Sequence, residues 1–370
     1  MLSQPNRIFS HIAAILGLLD STQIREIASM VESGEATDAV DAANKMGFLE
    51  AEEAHAIVVL SRSLAKRNPS EIHFESVLKE APAPGDDARS SRSISHPSNL
   101  GKYKVLEVIG RGASGIIYHG KDEDGRDAAL KVLSLELLGS EDEERFHREI
   151  ETILRLDHPN IVSVYDYGRT GDYLYYAMEY VRGHSLRALL HRRHFVPAFE
   201  AAEYIRDAAQ GLAYAHSHGI VHRDIKPSNL MLTENSRVRI VDFGLARELT
   251  SMTLTSTGIA AGTPAYMSPE QIEGAGSKLD ERSDIYSLGV TLYEILSGER
   301  PFGGKSHYEV MKQVLFTAPI PLEKIKPELP ISICDIAGRA MARLPVERYQ
   351  TMKEMVAALT HFADDTRSLP

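Results

Sequence analysis

Apolar positions recur with a helical period at the start of the chain. Ile8, Ile12, Ile15, Leu16 and Leu19 fall on one helical face. Asp20 with Gln23 makes a capping-box pattern for a second helix, which Gly34 stops. Thr37 is placed to cap a third, ended by Gly47, and a fourth runs over about 50–67 with Pro69 beyond it. Four short amphipathic helices predict a small all-α unit over 1–80, a docking or regulatory module with no catalytic constellation. The pattern then lapses. "APAPGDDARSSRSISHPSN" is rich in Pro and Ser and has almost no large apolar side chains. It cannot bury enough surface to offset its ordering entropy, so 81–100 reads as a disordered linker.

From 101 the period shortens to two. "YKVLEVIG", "IIYHGKDEDGRDAALKVL" and "IVSVYDYGRTGDYLYYAMEYV" alternate, with Asp124-Gly125 and Gly171-Asp172 at hairpin-turn positions. About five antiparallel strands are expected. One helix interrupts them, over "ERFHREIETILRL", with Ser140 and Glu143 as its capping box. After Gly183 the pattern is mostly helical. A strand-rich lobe followed by a helical lobe implies a cleft between them.

Bulk properties narrow the classes. The 370 residues carry a net charge of −11, which argues against a nucleic-acid footprint. The one cysteine, Cys334, excludes an internal disulfide and reads as a small core residue. The longest apolar run near the N-terminus, "IAAILGLL", is too short for a membrane span. A cytoplasmic setting without a transmembrane segment is expected.

The chemistry concentrates in the second part. Gly110, Gly112 and Gly115 form a GxGxxG that joins two strands. A dinucleotide site would need a helix after it. A glycine-rich strand-turn-strand can instead fold over phosphates with its backbone N–H groups unobstructed. Lys131 stands in the apolar strand "AALKV", where it needs an anionic partner, and Glu149 on the following helix can be that partner. In "HGIVHRDIKPSNLML", Asp224 can accept a hydroxyl proton, Lys226 can meet a transferring phosphoryl group, and the Asn229 amide oxygen can bind Mg²⁺. Asp242 in "VDFGLA" offers a second hard oxygen ligand. Mg²⁺ prefers few carboxylates plus substrate phosphates, and this pair with ATP meets that preference.

The ordered set of glycine loop, "AALK", "HRDIKPSN", "DFG", "GTPAYMSPE" and "SDIYSLG" resembles the eukaryotic-like (Hanks-type) bacterial serine/threonine protein kinases. The resemblance implies an α+β, bilobal protein-kinase fold over 101–366, with an N-lobe at 101–180 and a C-lobe at 181–366. It implies ATP and Mg²⁺ as cofactors, with Mn²⁺ as an alternative, and protein substrates phosphorylated on Ser or Thr. Gly110, Gly112 and Gly115 would cover the phosphates, and Lys131 would hold them while paired with Glu149. Asp224 would accept the substrate proton, and Asn229 and Asp242 would bind the metal. Met178 resembles the gatekeeper. Glu179 and Val181 would contact adenine from the hinge, with Ile109, Ile117, Ala129 and Met231 sandwiching the ring. Glu270 and Arg348 resemble the buried ion pair of the helical lobe, and Asp284 the anchor of the catalytic loop. Ser114 and Ser268 depart from the commoner residues at their positions, and neither handles charge.

The hydroxyl-rich stretch from 248 to 263 falls where this family keeps its activation segment. Arg223, before Asp224, marks the subclass in which an arginine gathers a loop phosphate. By spacing from "GTPAY", Thr255 and Thr257 match the positions relatives autophosphorylate, while Thr263 reads as structural. The competing reading is a pseudokinase that binds nucleotide without transfer; Lys131, Glu149, Asp224, Asn229 and Asp242 are all present, which favours the enzyme.

Overall fold

The computed structural model describes residues 97–112, 115–134, 140–171, 173–243, 264–273, 279–304 and 306–367. Within 26–46 it describes 26–27, 29–31, 33, 36–38, 41–42 and 45–46. The first and fourth expected N-terminal helices, the linker up to residue 96, Ser114 and the stretch 248–263 lie outside these residues.

Near the N-terminus, Glu26, Ile27, Ser29, Met30, Val31 and Ser33 are helical, within the span expected for the second helix between its Asp20–Gln23 capping box and Gly34. The expected Thr37 cap is displaced by one residue. Asp38 Oδ1 accepts the Asp41 amide at 2.9 Å, the i to i+3 bond of an N-cap, while Thr37 donates its own amide and hydroxyl to Asp41 Oδ2. The carboxylate is the better acceptor, so aspartate takes the cap and threonine becomes a donor.

The strand-rich lobe is a six-stranded sheet in the order β1-β2-β3-β4-β6-β5, antiparallel throughout. Its strands are β1 (Asn99–Leu100), β2 (Tyr103–Gly112), β3 (Gly115–Lys121), β4 (Asp127–Ser134), β5 (Val164–Thr170) and β6 (Tyr173–Glu179). The sixth strand is β1, only two residues long and too short to show a period. Its Leu100 is fully buried, so the lobe begins inside the segment expected to be linker.

Alternation sorts the side chains of β4 and β6 onto two faces. Ala128, Leu130 and Val132 join Tyr175 and Ala177 in a cluster with Leu100, Tyr103 and Tyr118. Ala129, Leu133, Leu174, Tyr176 and Met178 join the large core that takes in Phe146 and Ile150 of α1 (Ser140–Ile153). The helix begins at Ser140, but the side chains of the expected capping box are not described. The paired Cα positions Ala129↔Met178, Lys131↔Tyr176 and Leu133↔Leu174 therefore share the inner face.

The helical lobe contains α2 (Leu186–Arg193), α3 (Ala198–Ser217), α4 (Pro269–Glu273), α5 (Glu281–Ser297), α6 (His307–Phe316), α7 (Leu322–Ile325), α8 (Ile331–Ala340) and α9 (Met352–Arg367). Helix α5 is apolar around most of its circumference and is buried almost throughout, with α3, α8 and α9 against it. Cys334 is buried on α8, as expected of a small core residue.

A three-stranded sheet, β7 (Gly183–Ser185), β8 (Leu230–Thr233) and β9 (Val238–Ile240), lies at the joint of the lobes. There Ile240 exchanges backbone bonds with Asn160 and Val162, and Asn160 Nδ2 donates to the Val238 carbonyl at 2.9 Å. These bonds tie the chain entering β5 to β9, two residues before Asp242. No helix among the described residues is long and apolar enough to cross a membrane.

Candidate active site

The loop between α3 and β8 has almost no regular structure, so its backbone groups need partners from elsewhere. Asp284, in the first turn of α5 and fully buried, supplies them. It accepts the amides of His222 at 2.8 Å and Arg223 at 2.7 Å, and His216 Nε2 donates to it at 2.8 Å. Burial works to raise the pKa of Asp284, but His216, His222 and the amide bonds outweigh it and hold the carboxyl below its usual range. Arg223 sits at a φ of 65°, a left-handed conformation that a non-glycine residue keeps only where its surroundings enforce it. The bond of its amide to Asp284 and of its carbonyl to Gln271 Nε2 at 3.0 Å do so. His222 closes the other side. Its Nδ1 accepts the Asp224 amide, its Nε2 donates to the Val241 carbonyl at 3.1 Å, and its ring packs on Phe243. Burial pushes its pKa down, and the neutral ring suits one donor and one acceptor bond.

Asp224, Lys226 and Asn229 converge on this frame. Lys226 Nζ lies 2.7 Å from Asp224 Oδ2, which also accepts from Asn229 Nδ2 at 3.1 Å. Asn229 Nδ2 donates to the Asp224 carbonyl at 2.8 Å as well. With its amide nitrogen committed to Asp224, Asn229 keeps Oδ1 as an acceptor, to which the Ser228 hydroxyl donates at 3.3 Å. The Val241 amide donates to the Asn229 carbonyl at 3.0 Å, which fixes the approach of Asp242 to this loop.

Asp242, at a φ of 59°, carries two bonds. Lys131 Nζ is 2.9 Å from its Oδ2, and the Tyr176 hydroxyl donates to its Oδ1 at 2.8 Å. Burial favours the neutral acid, but Lys131 and the Tyr176 hydroxyl outweigh it and keep the carboxyl below its ordinary value. Glu149 is half-buried on α1; among the described residues the ion pair of Lys131 is the one to Asp242. Asn229 and Asp242 suit a hard divalent cation completed by phosphate oxygens. No cluster of three or more His, Cys, Asp or Glu placed to hold a metal occurs among the described residues, so an all-protein cage is not formed there.

Between Gly110 and Gly115, Gly115 has the stronger need to be glycine. Its φ is 130°, and a Cβ there would come 2.0 Å from the Val132 carbonyl oxygen. Gly110 and Gly112 lie on β2 across from Ile117 and Gly115. In the expected adenine pocket, Ala129, Met178, Ile117 and Val181 pack in one apolar cluster, while Ile109 lies exposed on β2 and Met231 half-buried on β8. The Glu179 carboxylate, at the end of β6, is tied to Arg239 of β9.

Further from the cleft, Glu270 and Arg348 form a buried two-pronged ion pair at 2.8 and 2.9 Å. The buried Ser268 is accommodated by Gln271, whose Oε1 accepts from its amide and hydroxyl. Thr255, Thr257 and Thr263 lie outside the described residues. Sequence reasoning missed Tyr176, His216, His222, Gln271 and Arg239. The inward phase of β6 was readable for Tyr176, but its register against β4 was not, because α1 and β5 intervene.

Comparison with known proteins agrees with this geometry. The family described as "Protein kinase domain" matches residues 103–367. The serine/threonine-protein kinase PknB of Mycolicibacterium smegmatis is 40% identical over 266 residues, which are 70% of this chain and 42% of that protein. The serine/threonine-protein kinase PrkC of Bacillus subtilis is 36% identical over 269 residues, 72% of this chain and 41% of that protein. The chain thus spans less than half the length of these relatives. With the family match running from β2 to the end of α9, the chain belongs to the protein kinase family.

Proposed function

We propose that this chain is a serine/threonine protein kinase that transfers the γ-phosphoryl group of ATP to Ser or Thr hydroxyls of proteins. The observation that carries the reading is the fixed Asp224–Lys226–Asn229 cluster, hung from Asp284 and joined through Val241 to Asp242. The acceptor hydroxyl oxygen bonds to the γ-phosphorus as the bridge to the β-phosphate breaks, ADP leaves, and the hydroxyl proton passes to Asp224. Lys226, already at Asp224, offsets charge on the moving group. Lys131 leaves Asp242 to hold the α- and β-phosphates, with Glu149 as its next partner, and the loop of Gly110, Gly112 and Gly115 covers them. Asn229 and Asp242 would hold Mg²⁺, or Mn²⁺ in its place, which would supply positive charge against the phosphates. Adenine lies against Ile109, Ile117, Ala129 and Met231, with Glu179 and Val181 at the hinge. Thr255 and Thr257 are the proposed autophosphorylation sites, in a cytoplasmic bacterial signalling role with residues 1–80 docking a partner.

The test is a transfer assay with ATP and Mg²⁺ on wild type and Asp224→Asn, read by phosphosite mass spectrometry. Wild type is expected to phosphorylate itself at Thr255 or Thr257, and Asp224→Asn to lose transfer by about 10²–10⁴-fold while still binding nucleotide. A wild type that binds ATP and transfers nothing, with Thr255→Glu/Thr257→Glu equally inert, would leave a nucleotide-binding scaffold instead.

A further inference from the structure

The partner of Lys131 across the sheet is a tyrosine, and both reach the same carboxylate. Lys131 and Tyr176 are paired positions of β4 and β6, so the sheet itself sets them side by side on the inner face. Lys131 Nζ takes Asp242 Oδ2 at 2.9 Å and the Tyr176 hydroxyl takes Oδ1 at 2.8 Å. Tyr176 is only 2% exposed, and Leu174 and Met178 flank it on the same core face. The adjoining cavity, lined by Ile153, Val162, Met178, Ile240 and Phe243 among others, holds about 10 Å³. That is at the lower limit for one water, so solvent reaches Asp242, whose side chain is 18% exposed, from outside this cavity. Both carboxylate oxygens are therefore engaged by the protein itself, one by Lys131 and one by Tyr176.

We propose that the Tyr176 hydroxyl is a latch on Asp242, holding it against Lys131 in the nucleotide-free protein and releasing it when a divalent cation and nucleotide bind. This rests on Asp242 being a metal ligand of the proposed kinase. Tyr176 is a positioning residue: it touches neither phosphate nor acceptor, and acts through the orientation of Asp242. Without the hydroxyl, Oδ1 loses its protein partner, and the latched arrangement is weakened relative to the metal-bound one. An ordinary packing residue at this position would not have that effect, because its loss would weaken folding and ligand binding together.

The experiment measures Mn²⁺ binding to the full chain in the presence of a non-hydrolysable ATP analogue, by the electron paramagnetic resonance signal of free Mn²⁺. Tyr176→Phe is expected to bind Mn²⁺ about tenfold more tightly than wild type, the scale of one hydrogen bond to a charged acceptor. Tyr176→Leu, which also lacks the hydroxyl, is expected to shift in the same direction. The chain has no tryptophan, so a tyrosine signal is not masked. Adding Mn²⁺ to the analogue complex should shift the near-ultraviolet tyrosine absorption of wild type as the phenol leaves a carboxylate, and should not do so in Tyr176→Phe. Unchanged or weaker Mn²⁺ affinity in the variants, or no spectral shift in wild type, overturns the latch alone. Wild type that binds the analogue but no Mn²⁺ overturns the latch together with the metal-dependent kinase reading.

Discussion

Glu270→Ala should destabilise the helical lobe by more than any surface ion pair could. All five N–H groups of Arg348 are used: Nε on the Ala342 carbonyl, Nη1 on Glu270 and the Arg282 carbonyl, Nη2 on Glu270 and the Arg343 carbonyl. Arg348 is 1% exposed, and Ser283 adds a further bond to Glu270 at 2.8 Å. Removing Glu270 leaves two guanidinium N–H groups unpaired and a buried charge without its counter-ion. Breaking a buried pair from one side costs about 3–5 kcal/mol. Three carbonyl acceptors remain and the Glu270 side chain is 16% exposed, so the lower end, about 3 kcal/mol, applies. For a domain of this size that is a fall in Tm of roughly 6–12 °C. Urea unfolding and thermal melts followed by circular dichroism measure it. Adding Arg348→Met to Glu270→Ala should recover part of the loss, because the uncompensated charge is gone. The pH dependence has a definite sign. Burial works to raise the Glu270 pKa, but Arg348 outweighs it and the folded value lies below the ordinary 4.5. The stabilisation is therefore complete above about pH 4.5 and is lost as pH falls through the lowered folded value. A loss below about 1 kcal/mol in Glu270→Ala, the range of exposed pairs, would refute the reasoning.

Two further perturbations test the frame of the cleft. Gly115→Ala forces a side chain onto a φ of 130° and against the Val132 carbonyl, so it should lower stability by about 1–3 kcal/mol and weaken nucleotide binding, read by thermal melts and by titration with a fluorescent ATP analogue; equal affinity would show that the turn relaxes freely. Asp284→Asn turns an N–H₂ toward amides that now donate to a carboxylate, so it should unlock residues 222–224, reduce transfer by at least about tenfold and raise hydrogen exchange at the His222 and Arg223 amides, with unchanged exchange counting against Asp284 as their anchor.

What was legible in the sequence follows the range of the interactions involved. Period-two alternation exposed β2 through β6, Lys131 stood out as a charge in an apolar strand that needs a partner, Asp224 and Asp242 as a proton acceptor and a metal ligand, and Asp284 through the family resemblance. Which partners they take is set by register and by the meeting of distant segments, and neither is written locally. Lys131 looked toward Glu149, eighteen residues along the chain, yet the sheet sets it beside Tyr176 and the bonding of β9 to the chain entering β5 brings it Asp242. The two-residue β1 has no period to detect, and its Leu100 is recognisable only by the core that covers it. His222 presents the same difficulty in reverse. The histidine is plain in "VHRD", but its use as a strut between Asp224 and Val241 depends on a neutral ring, and burial by Phe243 supplies that condition. Asp242 and Lys131 are thus visible as chemistry in the sequence, while the state in which they hold each other is a property of the sheet, and Tyr176 is the residue through which the sheet exerts it.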